Sequence, residues 1–377
     1  MTYLLCHSYH GFRYVEVTGL PFAPTIDTVT CVHFRTGVAL VGDVVAPSVT
    51  ATAINQLQHA ITWGLGNNFM SVVSDCPQRD ERKGWMGDSG LSLQPTHYNY
   101  AVGAFYTAWA NNMRDSQVYK GDDHPAGSMP DTVPHTFGSY PSDPAWGTAY
   151  PGVVYSTWRM LGDTQIAADH YPNLQMYVDF MAGRVNSSGI AKTYQSYGDW
   201  CPPPAQLGGG QGSKPPDHYT SGIAYLVDLQ RMIELSTALG KGADAAMYKA
   251  YRAQLVSDFN AAWLGSNGTY GNANGDGLQT ANACALAVGA ADAAGAAALA
   301  AAALVNDVAQ THQNHWSVGI IGMRFLHSAL VQGGASDLAI QNLLEPDYPG
   351  FAWCTYTDPA AIGPRPPRPP ERSPLTP

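Results

Sequence analysis

Charge is scarce in this chain. Asp, Glu, Lys and Arg make up 13% of its 377 residues, and the balance is acidic, with a formal net charge of -10. A nucleic-acid partner held by phosphate neutralisation is thereby excluded, because such binding needs a basic surface. Cysteine is equally thin. Cys6, Cys31, Cys76, Cys201, Cys284 and Cys354 are scattered singly with no CxxC pair, which indicates neither a zinc site nor a dense disulfide framework. The longest apolar run, Ala285 to Leu304, is rich in Ala and Gly and contains Asp292, so it reads as a buried helix pair rather than a membrane span. The opening residues MTYLLCHSYHGF lack a basic cluster followed by a continuous apolar core, so no signal peptide is read there and localisation stays open. His97, His124, His135, His218, His312 and His315 are irregularly spaced and form no HExxH motif, which leaves metal ligation unsupported. GGGQGSK at 208–214 lacks the preceding strand and following helix of a phosphate loop and reads as a linker. No cofactor is called for.

What the chain does have is hydrophobic and aromatic residues, at 45% and 11%, enough for a substantial globular core. Flat rings with little charge suit a neutral, hydroxyl-rich ligand. Three textures follow one another. Residues 1–48 hold FRYVEVTG and TVTCVHFRTG, alternating and β-branched between Gly and Pro breaks, and read as the last part of a β-sandwich. Residues 49–357 turn helical. AINQLQHAITWGL, HYNYAVGAFYTAWANNMRDSQ, DHYTSGIAYLVDLQRMIELSTAL, AAMYKAYRAQLVSDFNAAWL and NHWSVGIIGMRFLHSALVQGG all carry apolar residues at helical spacing. Long loops rich in Asp and Pro separate them. Paired helices with alternate long loops predict a mainly α fold, an α/α toroid whose loops at one end carry the chemistry. Residues 358–377, PAAIGPRPPRPPERSPLTP with the preceding Asp, are dominated by proline and are expected to be disordered.

One stretch concentrates the missing charge. SDCPQRDERKGWMGDSG, residues 74–90, brings Asp75, Arg79, Glu81 and Asp88 together among Pro77, Gly84 and Gly87. The sequence predicts a loop between the helix ending near residue 65 and one beginning near Pro95, with stiff and permissive residues aiming several side chains at one point. Carboxyls crowded in this way cannot all ionise cheaply, and at least one is expected to hold its proton to higher pH, as a general acid must. A salt-bridge network tying two helices accounts for the same residues.

The run DCPQRDERKGWMGD closely resembles the signature of the α-L-rhamnosidases of glycoside hydrolase family 78. WGLGNNFMSV, DPAWG, SYGDW and DYPGF follow in that family's order, so the resemblance spans about residue 9 to residue 353. It implies an (α/α)6 barrel preceded by a β-sandwich, and removal of terminal α-L-rhamnose with inversion at the anomeric carbon. Glu81 matches the family's general acid. Asp75, Arg79 and Asp88 match polar groups holding the rhamnose hydroxyls, and Trp85 an aromatic wall of the sugar pocket. Trp146 and Trp200 look like further aromatic residues of the site, with Asp199 as their neighbour. Rhamnosylated small molecules or polysaccharides are the implied substrates. The Trp-Glu pair that supplies the family's general base does not follow DYPGF here, and Glu371 lacks a preceding Trp. No residue is therefore assigned as the base, and the barrel is expected to be incomplete at its C-terminal end. The alternative expectation is a rhamnose-binding protein without turnover.

Overall fold

The computed structural model describes residues 8–12, 15–47, 51–118, 123–190, 197–203, 214–271 and 278–355. Helices dominate. In chain order they are α1 (Ala51–Asn67), α2 (Met86–Asn99), α3 (Gly103–Ser116), the short α4 (Pro144–Gly147), α5 (Ala149–Leu161), α6 (Thr164–Ser188) and α7 (Asp217–Ala238). Then come α8 (Gly242–Trp263), α9 (Leu278–Ala287), the short α10 (Ala290–Ala293), α11 (Ala297–Asn306), α12 (Ile320–Gln332), α13 (Ser336–Leu344) and α14 (Phe351–Thr355). A two-stranded antiparallel ribbon, β1 (Phe69–Met70) with β2 (Val72–Val73), follows α1.

Helices α2, α5, α7, α9 and α12 touch in succession, and α12 returns to α2, which makes an inner ring; α3, α6, α8, α11 and α13 pack outside it. Composition explains the layering. In α9 every residue from Gln279 to Leu286 is buried, and α7 buries residues around most of its circumference. A helix covered on all sides needs small or apolar residues all round. Outer α8 instead buries only one stripe, Tyr248, Leu255, Val256 and Phe259. The core continues through large rings such as Trp109, Tyr106, Tyr150 and Tyr219. This is the α/α toroid that the helical spacing predicts. No described helix is long and apolar enough to cross a membrane.

Three details differ from the sequence expectations. Helix α2 starts at Met86, directly after Trp85, and carries Pro95 inside it, so Asp88 lies in a helical first turn rather than in a loop. The pattern at 97–117 is broken at Tyr100, whose backbone N–H bonds back to the Thr96 carbonyl in extended geometry, and α3 begins afresh. Finally, among the described residues of the N-terminal segment no strand forms a ladder. Residues 15–47 carry a short 3-10 turn at Ile26–Thr28 and a single bridge between Leu40 and Tyr100, and otherwise no regular secondary structure. Extended backbone becomes sheet only when a neighbouring strand takes up its N–H and C=O groups in series, and here the bonds to the body are scattered: Thr36 N–H to the Phe69 carbonyl, Val41 and Gly42 N–H to the Asn99 carbonyl, and Ala101 N–H to the Ala39 carbonyl. Val15, Phe22, Ile26, Val32, Phe34 and Val45 stay exposed. The Pro-rich stretch at 358–377 lies outside the described residues, as does nearly all of GGGQGSK.

Candidate active site

Three loops meet at one end of the inner ring: residues 74–85 before α2, 129–143 before α4, and 197–203 between α6 and α7. The first closes on itself. The Asp75 N–H donates to the Lys83 carbonyl at 3.0 Å, and the Lys83 N–H donates to Asp75 Oδ1 at 2.8 Å. The Asp75 side chain is 2% exposed, so this acid ties the loop rather than opening to a ligand. The turn between these ends forces Arg82 to φ 50°, a conformation that costs a non-glycine residue about 1–3 kcal/mol and persists only when surroundings impose it. The N-terminal segment supplies part of that imposition. The Tyr9 ring lies 5.1 Å from the Arg82 guanidinium, and the Gly11 N–H donates to the Pro77 carbonyl.

The loop presents Glu81. Its Oε2 accepts the Trp85 indole N–H at 3.0 Å, and its Oε1 lies 3.0 Å from Arg79 Nε. Arg79 reaches back to within 3.7 Å of Asp75 Oδ2. Glu81 nevertheless keeps 39% of its side chain exposed. A turn further along, Asp88 is exposed and lies close enough to Glu81 and Arg79 to feel their charges. The crowded carboxyl that shifts is Asp88. Crowding by protein atoms raises it, the negative charges of Asp75 and Glu81 add to the effect, and Arg79 opposes it, leaving the group at about 6.

The second loop is stitched to the first. Met86 N–H donates to the Asp131 carbonyl, Val133 N–H donates to the Gly84 carbonyl, and Trp85 bridges Thr132. Gly84 permits this approach, since a Cβ there would stand 2.1 Å from the Val133 oxygen. Asp131 is fully buried and accepts from Ser139 N at 2.6 Å, Asp143 N at 3.1 Å and the Tyr197 hydroxyl at 2.7 Å. Phe137, on the tip of this loop, is exposed and meets Trp85 edge-on at 5.8 Å.

The third loop carries Tyr197, Asp199, Trp200 and Cys201. Trp200 is 49% exposed. Burial pushes the Cys201 thiol up, while Arg79 and Asp88 act on it in opposite directions, which sets this turn beside the signature loop.

Glu81, Arg79, Trp85, Asp88 and Trp200 therefore converge on one surface. Trp146 forms its floor. It is 4% exposed, and its indole would be 2.4 Å from a Cβ at position 87, so Gly87 alone lets the ring lie against the first turn of α2. Asp199 does not join them. It is fully buried and accepts from the Thr280 hydroxyl and from the backbone N–H groups of Gly319, Ile321 and Gly322. Those amides are the otherwise unpaired donors at the start of α12. Asp199 caps a helix, and its oxygens are taken up by protein groups, so the structure does not bring it to the surface that the others share. Gln279 and Thr280 are likewise spent internally, on Ser317 and Asp199. Sequence reasoning missed Asp131, Phe137 and Tyr197. Tyr197 stands two residues before Asp199 in SYGDW, but its partners Trp85, Asp131, Asp143 and Trp146 lie more than fifty residues away in the chain.

The sequence model of the bacterial α-L-rhamnosidase six-hairpin glycosidase domain matches residues 48–357. An α-L-rhamnosidase of Streptomyces avermitilis is 29% identical over 353 residues, covering 93% of this chain and 32% of that protein. One from an Alteromonas species is 27% identical over 350 residues, covering 91% and 36%. Among solved structures, an α-L-rhamnosidase from Dictyoglumus thermophilum superposes with a TM-score of 0.80 at 30% identity, covering 91% of this chain and 37% of that one. The Streptomyces avermitilis enzyme complexed with L-rhamnose gives 0.73 at 25% identity, covering 85% and 28%. The chain spans about a third of the length of these relatives. With the signature loop, the toroid and a matched segment of this extent, the chain belongs to the family of the bacterial α-L-rhamnosidase six-hairpin glycosidase domain.

Proposed function

We propose that this chain takes part in hydrolysis of terminal α-L-rhamnosides, with Glu81 as general acid and inversion at the anomeric carbon. The observation that carries the reading is the setting of Glu81: a part-exposed carboxyl with one oxygen on the Trp85 N–H and the other beside Arg79. Protonated Glu81 gives its proton to the glycosidic oxygen as the bond to the anomeric carbon breaks. The carboxylate it becomes is stabilised by Arg79 at 3.0 Å. Water adds to the anomeric carbon from the opposite face and loses a proton to a second carboxylate, which in inverting glycosidases stands about 6.5–9.5 Å from the acid. That base is not assigned to a residue of this chain. The ring of the sugar lies against Trp85 and Trp200, whose flat faces suit its apolar patch and methyl group, while Asp88 and Arg79 hold its hydroxyls.

The test is hydrolysis of an aryl α-L-rhamnoside followed by proton NMR, with L-rhamnose titrated calorimetrically in parallel. β-L-Rhamnose as the first product supports inversion, and α-L-rhamnose as the first product rules it out. Rhamnose uptake without turnover assigns the chain as a sugar-binding module. Neither uptake nor turnover removes the rhamnoside reading.

A further inference from the structure

Each of the three tryptophans around the site belongs to a different loop or helix start, and one residue touches all of them. The Tyr197 ring lies 4.6 Å from Trp146, 5.8 Å from Trp200 and 6.2 Å from Trp85, centroid to centroid. Among the described residues no other ring stands in contact with all three. Tyr197 is itself fixed at two points. Its hydroxyl donates to Asp131 Oδ2 at 2.7 Å, and its backbone N–H donates to Asp143 Oδ2 at 2.8 Å. Asp131 is held in turn by two backbone amides, and its own carbonyl accepts from Met86 at the first turn of α2. Tyr197 therefore closes a path from the third loop through the second to the helix that bears Asp88.

We propose that Tyr197 is a positioning residue for sugar recognition: anchored by Asp131, it sets the mutual orientation of Trp85, Trp146 and Trp200. The inference rests on the rhamnoside reading of the site and deepens it. Three facts separate this role from plain packing. Tyr197 is only half-buried, so it lies at the edge of the core where the cup opens. The hydroxyl donates to a buried carboxylate, and burial first, then that carboxylate, push its pKa up, so the residue acts through its neighbours rather than on a ligand. Its three ring contacts are edge-on or tilted, a geometry in which a small rotation of the centre ring displaces every neighbour.

The experiment compares the wild-type chain with Tyr197→Phe, which keeps the ring and removes the anchor, and with Tyr197→Ala, which removes both. Phe259→Leu, a core change in outer helix α8, serves as a control for general destabilisation. L-Rhamnose affinity, tryptophan bands in near-ultraviolet circular dichroism, acrylamide quenching and melting temperature are measured for each. The expected result for Tyr197→Phe is about tenfold weaker rhamnose binding and diminished tryptophan bands, with a melting temperature no lower than that of Phe259→Leu. Tyr197→Ala weakens binding further, so the ring alone gives partial rescue. Wild-type affinity and unchanged tryptophan bands in Tyr197→Phe overturn the proposal. So does an equal loss of affinity in Phe259→Leu. A wild-type chain that takes up no rhamnose removes the sugar reading instead; the bands and the quenching then still decide whether Tyr197 orders the three rings.

Discussion

Glu81 and Asp199 invite comparison, because each is an acid close to a tryptophan in a Gly-rich motif and each sits in a loop at the same end of the toroid. Glu81 meets two side-chain donors and leaves a large part of its side chain open. Asp199 meets three backbone amides and a hydroxyl, and is closed. A carboxylate whose lone pairs are already taken up by fixed donors belongs to the scaffold; one held at its edges, with a face to spare, is available for chemistry. The same division separates the other acids. Asp75 and Asp131 stitch loops, and Asp88 is exposed.

The comparison is broken most directly at Glu81. Glu81→Gln is expected to lower hydrolysis of a rhamnoside by about a thousandfold, the range of a lost general acid, while leaving rhamnose affinity and chemical denaturation close to wild type. Undiminished turnover in a steady-state assay ends the assignment. Asp199→Asn should do the reverse. It places an amide N–H₂ against the donors at the start of α12, and a loss of about 3 kcal/mol in unfolding free energy is expected from urea titration. Gly87→Ala tests the floor of the cup, since the new methyl group meets the Trp146 indole. Overpacking of this kind costs about 1–3 kcal/mol, and a red-shifted tryptophan emission would report the displaced ring.

The smallest effect sharpens the picture at Asp88. Its pKa is raised to about 6, so it is ionised above that pH and takes up a proton as pH falls through it. An ionised acceptor makes a stronger hydrogen bond to a sugar hydroxyl than a neutral one, by about 1 kcal/mol. Rhamnose affinity measured by calorimetry should fall about fivefold between pH 7.5 and pH 5, and Asp88→Asn should flatten that dependence. An equally steep profile in Asp88→Asn assigns the titration to another group.

Much of this was readable from the chain itself. Helices α7 and α8 follow from apolar spacing within single windows, and Glu81 with Trp85 follows from residues four apart, a separation that a short loop can close. The misreadings have a common cause. Asp199 looks like a site residue in SYGDW, yet its four donors come from residues 280 and 319–322, which no local pattern announces. Tyr197 escaped notice for the same reason, because its partners Asp131, Asp143 and Trp146 lie on another loop. Pro95 reads locally as a breaker, which sets the expected start of α2 late, whereas the segment is helical across it from Met86 to Asn99. The N-terminal segment shows the opposite case. Its alternation reads as that of a strand, yet no described residue there joins a ladder, because alternation specifies a face and not a neighbour.

The grip on Glu81 has a consequence for timing as well as place. The last torsion of a glutamate side chain is broad and close to free in solution. Here an indole N–H holds one oxygen and a guanidinium the other, so the plane of the carboxyl is set before any sugar arrives. In the proposed reaction the direction along which the proton leaves is thus a property of the resting molecule. Under that proposal, the rotational freedom that a loose acid would surrender at the transition state is surrendered during folding.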